Sequence, residues 1–286
     1  MKKWSSMLTL AILGAFILSN LVLAAPTTKA TPKSDRTNST YTQEELEQIR
    51  EIHSEAVEQG AVSLNEEGTI TVNTDSARLG VNKGIFKKYI KSVGNINDTV
   101  ELGVAYFDEN FDLKVASADE TINIISARDK KLQQSGTPST NRFDTQFIMP
   151  AAFPVLDAYA IADDNYQTIS DYFDAIQVYA PWSAYPSTVG YWISKVQEGG
   201  SWDYKVKSGY TPYNKQWQTL TLYTSSVRTS EWFGNYNYGY TGRFLFSLNI
   251  LHAGGDGVSY IFNHTMDDQA DHDAVTFGYD DCGYVH

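Results

Sequence analysis

Glu55-Ala-Val-Glu-Gln-Gly60 and, 43 positions later, Asp98-Thr-Val-Glu-Leu-Gly103 are two versions of one pattern. At the same offset Leu64-Asn-Glu lines up with Phe107-Asp-Glu, and Ile70-Thr-Val72 with Leu113-Lys-Val115. In each copy a helical stretch stops at a glycine, the residue that most easily leaves a helix through positive φ. Short alternating runs follow: Ala61-Val-Ser-Leu64 and Thr69-Ile-Thr-Val72 flank the polar turn Asn65-Glu-Glu-Gly68 as the two arms of a hairpin. Upstream, Thr42-Gln-Glu-Glu45 has the spacing of a capping box, which predicts a helix from there to about Gln59. Residues 42–133 are therefore expected to form a duplicated helix–hairpin region, with Lys87 and Lys88 on the connecting helix. Two copies are too few for a solenoid, so they are expected to share one small core. The basic residues here lie among acids, the pattern of a solvated face, and no group of side chains suited to catalysis is present. The region reads as a spacer or binding module.

At the N-terminus, Lys2 and Lys3 precede an apolar run from Met7 to Leu18, and Val22-Leu-Ala-Ala25 supplies small residues. That order is the order of a cleavable secretory signal, with cleavage expected after Ala24 or Ala25. About a dozen apolar residues fall short of the roughly 20 that span a bilayer, so stable membrane insertion is not expected. Residues 1–25 are read as a signal peptide and 26–41, rich in Thr, Ser, Pro and Lys, as a flexible tether. Loss of the two lysines takes the formal charge from −12 to −14. Such a field repels nucleic acid and anionic wall polymers unless a local basic patch offsets it. Cys282 is the only cysteine, so no internal disulfide forms, and burial of an aromatic content of 13 %, including 19 tyrosines, must stabilise the fold.

Residues 134–146 form a second polar linker, after which aromatic residues rise and lysine nearly vanishes. In 147–286, helices are expected over Met149–Ala162, Tyr166–Ala180, Ser187–Glu198, Tyr238–His252 and Asp267–Tyr279, with a strand or hairpin arm at Trp217–Val227. The chain is thus predicted to be α+β: two helix–β-hairpin repeats, then a mostly helical C-terminal domain with a minor β element.

Three segments of that domain carry residue types unusual for plain packing. In Gly199-Gly-Ser-Trp-Asp-Tyr-Lys205 the acid Asp203 and the base Lys205, two apart, would share one side of an extended segment. Phe233-Gly-Asn-Tyr-Asn-Tyr-Gly-Tyr-Thr-Gly-Arg243 interleaves tyrosines with turn-forming residues ahead of an apolar helix expected to start near Phe244. Its glycines would let backbone N–H groups approach an anion, Asn235 and Tyr238 would orient a polar ligand, and Arg243 would hold a carboxylate or phosphate. In the third segment, residues 267–280, Thr265 and Asp268 make a capping-box pattern, and Asp268 and Asp271 sit three apart on one helical face, able to share a proton or a cation. His264, Asp268 and His272 are four apart, but the cap puts His264 ahead of the helix. The acids lack the glycine and terminal glutamate of an EF-hand loop, and no metal is expected.

Together these segments resemble the polymorphic toxin type 44 domain, also called bacterial toxin 44. Its members carry GG-x-WDYK, GN-x-x-YG-x-x-G and DD-x-x-D…GYD segments in this order, here Gly199–Lys205, Gly234–Gly242 and Asp267–Asp280. The resemblance covers roughly residues 155–279. Ser201 stands where the family usually has proline, and the insert at residues 256–264 is this chain's own. The resemblance implies a ribonuclease toxin, with an immunity protein as partner. It implies Asp203 or Asp271 as general base on a ribose 2′-hydroxyl or a water, and Arg243 and Lys205 stabilising the oxyanion. Asn235, Tyr238 and Trp202 would place the substrate, and Asp268 would pair with Asp271. No cofactor is expected.

Two other readings stay open. Asp203 and Asp271 facing across a cleft of about 5–9 Å would suit a cell-wall glycan hydrolase. A tyrosine-rich surface would instead suit a secreted binding or adhesion module.

Overall fold

The structure, a computed structural model, describes residues 39–134, 153–263 and 269–286, without the side chains of 256–263. The expected signal peptide, most of the tether and linker, and His264, Asp267 and Asp268 lie outside the described residues. The fold is α+β. Its elements are α1 (Gln43–Glu58), β1 (Val62–Leu64), β2 (Ile70–Val72), α2 (Lys83–Glu101), β3 (Ala105–Phe107), β4 (Leu113–Val115) and α3 (Ala118–Gln134). Then follow β5 (Val155–Asp157), α4 (Ala158–Tyr179), α5 (Pro181–Val196), β6 (Gln216–Leu220), β7 (Ser225–Thr229), α6 (Ser230–Gly242), α7 (Leu248–Asn263) and α8 (Gln269–Val285). No described helix is long and apolar enough to cross a membrane. The described chain forms two compact units, one of residues 39–125 and 167–194, the other of 126–166 and 195–286.

The first unit contains the repeat. Thr42 and Glu45 exchange side chain-to-backbone hydrogen bonds at 3.2 and 3.1 Å, the capping box that starts α1. Leu46, Ile49, Ile52 and Ala56 form its buried face. The two hairpins have equivalent registers, Val62 opposite Val72 and Ala105 opposite Val115, 43 residues apart. Gly60 and Gly103, also 43 apart, both take positive φ (64° and 83°) where helix gives way to strand. At the next equivalent pair the copies differ: Gly68 has φ 80°, and Phe111 holds the same left-handed conformation at 61°. Asn97 of α2 exchanges two hydrogen bonds with the Ile70 backbone (2.9 and 2.8 Å), so the outer edge of β2 is paired with a helix side chain.

Residues 167–194 join this unit because they finish its core and because α1 caps the end of α4. Arg50 donates to the carbonyls of Val178 and Gln177 (2.8 and 2.9 Å), which end α4 and have no intrahelical donor. A Cβ on Gly190 would lie 2.5 Å from the Ala118 carbonyl, so α5 meets the start of α3 backbone to backbone. At the centre the His53 ring packs against Tyr89, Phe107 and Tyr179 at centroid distances of 5.9, 6.1 and 5.0 Å. Burial there pushes the imidazole down to about 4, against a small offset from the Phe111 backbone.

In the second unit β5 pairs parallel to β6, and β6 antiparallel to β7. The hairpin arm expected at Trp217–Val227 is β6–β7. Other expectations need correction. Met149–Ala162 and Tyr166–Ala180 are not two helices: Val155–Asp157 is a strand, and one helix runs from Ala158 to Tyr179. Asp157 ends the strand and caps the helix, its carboxylate accepting from the Ala160 N–H at 2.9 Å. The polar run Asp163-Asp-Asn165, which reads as a break, stays helical because its side chains have partners. Asp163 accepts from the Tyr240 hydroxyl (2.8 Å) and pairs with His286 (2.8 Å), and the Asn165 amide donates to the Tyr204 hydroxyl (3.0 Å) and Asn237 (2.8 Å).

The largest correction concerns 233–243. This segment is not a glycine-rich turn but the body of helix α6, capped by Thr229, whose hydroxyl accepts from the Trp232 N–H at 3.1 Å. Phe244–Phe246, expected to open the next helix, are buried in the turn before α7. The glycines serve packing. A Cβ on Gly239 would lie 2.0 Å from the Val275 carbonyl, and one on Gly278 2.0 Å from the Tyr236 carbonyl. Helices α6 and α8 thus cross in backbone contact, with Phe233, Tyr236 and Tyr240 buried around the crossing.

The unfolded chain takes up a proton at His53 near pH 6.5, whereas the folded chain resists until about 4. Stability from this site is therefore full above pH 6.5 and is lost as pH falls to 4, by about 3 kcal/mol at ~1.36 per unit. Urea unfolding at pH 7 and 4.5 is expected to show that loss in the wild type relative to His53→Phe; an equal pH dependence in both would refute it. Gly239→Ala and Gly278→Ala are expected to cost more than about 3 kcal/mol, beyond ordinary overpacking. Gly234→Ala, where the new Cβ meets only Lys205 at 3.6 Å, is expected to gain about 0.5–1 kcal/mol from helix propensity.

Candidate functional site

The α6–α8 crossing brings polar side chains of three helices together at one end. Asn235, in the first half of α6, donates its amide to the Asp271 carboxylate in the first turn of α8. A carboxylate there is also favoured by the exposed N–H groups of the helix start. Three residues after Asn235, the Tyr238 hydroxyl donates to the Leu251 carbonyl of α7 at 3.2 Å. The next residue of α7, His252, stacks its ring on that of His272, with centroids 4.4 Å apart and planes 16° from parallel. His252 Nε2 lies 3.1 Å from the Thr276 hydroxyl, one turn after His272 on α8. Asn235, Tyr238, His252, Asp271, His272 and Thr276 are all partly exposed, so this polar face is open to solvent.

Two stacked imidazoles can move protons. Each ring nitrogen is either donor or acceptor according to its protonation, so one ring can give a proton while the other takes one.

The other residues singled out in the sequence are placed as follows. The Lys205 stem lies alongside α6 at Gly234, next to Asn235 in the helix. Asp203 accepts from the Gly199 N–H at 2.9 Å and braces its own loop, which is a series of turns rather than the extended segment expected. Trp202 is buried, and its N–H donates to the Lys195 carbonyl at 2.9 Å. Arg243 donates to the Tyr279 carbonyl (3.2 Å), lies 4.3 Å over the Tyr279 ring and packs on Gly283. It comes eight residues after Asn235, about 12 Å along the helix, and its guanidinium lies against the C-terminal half of α8. Asp203, Arg243 and Asp271 are therefore held by three different partners, not by one another. Asp268 lies outside the described residues. Cys282 is fully buried, and burial pushes its thiol up to about 12, so it stays protonated at neutral pH. Among the described residues no group of three or more His, Cys, Asp or Glu is placed to hold a metal ion.

Comparison with family models, with curated proteins and with solved structures found no match. The likeness to bacterial toxin 44 therefore rests on the three quoted segments.

Sequence reasoning missed His252 and Thr276. His272 was weighed only as a partner of His264 and Asp268. His252 gave no local signal, because its partner lies 20 residues on, across a segment whose path the helical period does not set.

The placement of Arg243 yields a test. Arg243→Ala is expected to lower stability by about 2 kcal/mol, from a charge-assisted hydrogen bond and a cation–π contact. Arg243→Lys should recover little of it, because an ammonium cannot span both the Tyr279 carbonyl and the ring. Full stability of Arg243→Ala in urea melts would remove the structural role.

Proposed function

We propose that the chain is an exported, toxin-like hydrolase that cleaves RNA at the His252–His272 face. The observation that carries this reading is the stacked, partly exposed imidazole pair, whose His272 directly follows Asp271 in α8. It lies where two of the toxin-like segments meet, with Lys205 of the third beside the same helix. In the proposed reaction one imidazole accepts the proton of a ribose 2′-hydroxyl as that oxygen attacks the adjacent phosphorus. The other imidazole gives its proton to the departing 5′-oxygen. Lys205 offsets the charge gathering on the phosphoryl oxygens, and Tyr238 and Asn235 line the approach. The products are a 2′,3′-cyclic phosphate and a 5′-hydroxyl, and DNA, which lacks the attacking hydroxyl, is not a substrate. Export by the N-terminal segment and an immunity protein as partner belong to the same proposal.

Purified chain from residue 26 onward, offered RNA and DNA of one sequence, is expected to cleave only the RNA and to leave cyclic phosphate ends. His252→Ala and His272→Ala should each lower the rate at least about 100-fold, the scale of a lost general acid or base. Asp203→Ala should keep activity within a few-fold once its folding is checked. Intact RNA, equal cleavage of DNA, or fully active histidine variants would sink the proposal.

A further inference from the structure

We propose that the tip of the β6–β7 hairpin and the last turn of α8 form a docking site for an uncharged, β-1,4-linked polysaccharide chain. Tyr223, in the turn between the strands, is 72 % exposed, and Tyr284, near the end of α8, is 71 % exposed. Their rings touch edge to face, 5.7 Å between centroids and 79° between planes. Two exposed rings at right angles make a corner. The face of one can lie under a pyranose while the other bounds its edge. In β-1,4-linked chains of gluco configuration, such as cellulose and chitin, the ring substituents are equatorial, so the sugar presents flat C–H faces to such a surface.

The corner is held in place from below. The buried Asp281 carboxylate accepts from the Leu222 N–H (3.3 Å), next to Tyr223, and from the Tyr236 hydroxyl (2.9 Å). It thereby ties the hairpin tip to the helix that carries Tyr284. The turn itself is closed by Thr221 N–H to the Thr224 carbonyl (2.9 Å) and by the two threonine hydroxyls (2.8 Å). A corner fixed before binding loses little freedom when a ligand arrives.

The charge pattern selects the occupant. Residues 216–227 contain no Lys, Arg, Asp or Glu, and the tip exposes the hydroxyl groups of Thr224 and Ser225. The flanking cations sit at the other end of the strands, Lys215 4.0 Å over the Trp217 ring and Arg228 5.0 Å over the Trp232 ring. A polyanion needs cations at its contact surface; the hairpin tip offers none, and on the helix side exposed Asp280 stands one turn before Tyr284, while Arg243, packed at Gly283, is engaged by the Tyr279 carbonyl and ring. Rigid tyrosines with small hydroxyl residues are also the composition of many polar recognition surfaces. Tyr284 is twelve residues beyond His272, about 18 Å along α8, so the site stands apart from the proposed RNA-cleaving face.

The test is retention of the purified chain on chitin beads and on microcrystalline cellulose, with sulfated dextran beads as the charged control. Wild type is expected to be retained on at least one of the two neutral polymers. Tyr223→Ala/Tyr284→Ala should cut the retained fraction at least tenfold, with circular dichroism and urea midpoint unchanged, and Tyr223→Trp should keep binding. His272→Ala should bind as wild type does, which separates this site from the reaction. Wild type found unbound on both neutral polymers, retained only on sulfated dextran, or bound as well by the double alanine variant overturns the proposal.

Discussion

Backbone contact between α6 and α8 sets the geometry of the second unit. Packed helices ordinarily stand about 8–10 Å apart because side chains separate them. Gly239 and Gly278 remove those spacers, and each lets a carbonyl of the other helix into the space where a Cβ would be. Asn235 with Asp271, Gly239 with Val275, and Arg243 with Tyr279 then follow one another a turn apart along both helices. The first pair fixes the carboxylate of the polar face, and the last adds a charged donor to a carbonyl in the C-terminal half of α8. The same closeness brings the Tyr236 hydroxyl to Asp281, which positions the hairpin tip.

Much of the first unit was legible because its signals are local. A capping box, a glycine after each helix and a 43-residue offset each specify backbone geometry within a few residues. Phe111 was the exception: nothing in its type announces a left-handed conformation, and only its alignment with Gly68 does. In the second unit the decisive signals were not local. Glycines spaced among tyrosines look the same whether they free a turn or admit a neighbouring helix, and the neighbour here lies about 40 residues on. Asp163-Asp-Asn165 looked like a break because the partners that let it remain helical, Tyr240, His286, Tyr204 and Asn237, come from distant segments. Of the candidate site, Asn235 and Asp271 were legible as polar residues in glycine-rich and acidic contexts. The partners of Arg243 and Asp203 were not legible, since charge alone does not tell a residue that meets a ligand from one that braces a helix or a loop.

Without a disulfide, the second unit is cross-linked by tyrosines. Tyr204, Tyr236 and Tyr240 each bury a ring and give the hydroxyl a partner: the Asn165 amide, Asp281 and Asp163 respectively. Burial drives all three hydroxyls well above the ordinary tyrosine range, so they remain neutral donors or acceptors at any physiological pH. Asp281 shifts in the same direction, burial first, and the Tyr236 and Leu222 bonds oppose the rise. This differs from an ion pair, whose partners must both stay charged. A carboxyl held by neutral donors tolerates loss of its charge, which suits an acidic chain whose further acids would otherwise repel one another.

That acidity also constrains how each proposed ligand is met. A chain carrying −12 repels RNA at long range, and in the proposed reaction Lys205, whose stem lies against α6 at Gly234, would offset this only at contact. Attraction at a distance therefore cannot be what gathers polyanionic substrate. The hairpin tip avoids the difficulty, because an uncharged polysaccharide feels no such field and binds by ring contact and hydroxyl hydrogen bonds at short range. The two ends of α8 thus pose opposite electrostatic problems. On the proposed reading, the imidazole end would act only on a charged partner already in contact, and the aromatic end would hold the chain on a surface whatever its net charge.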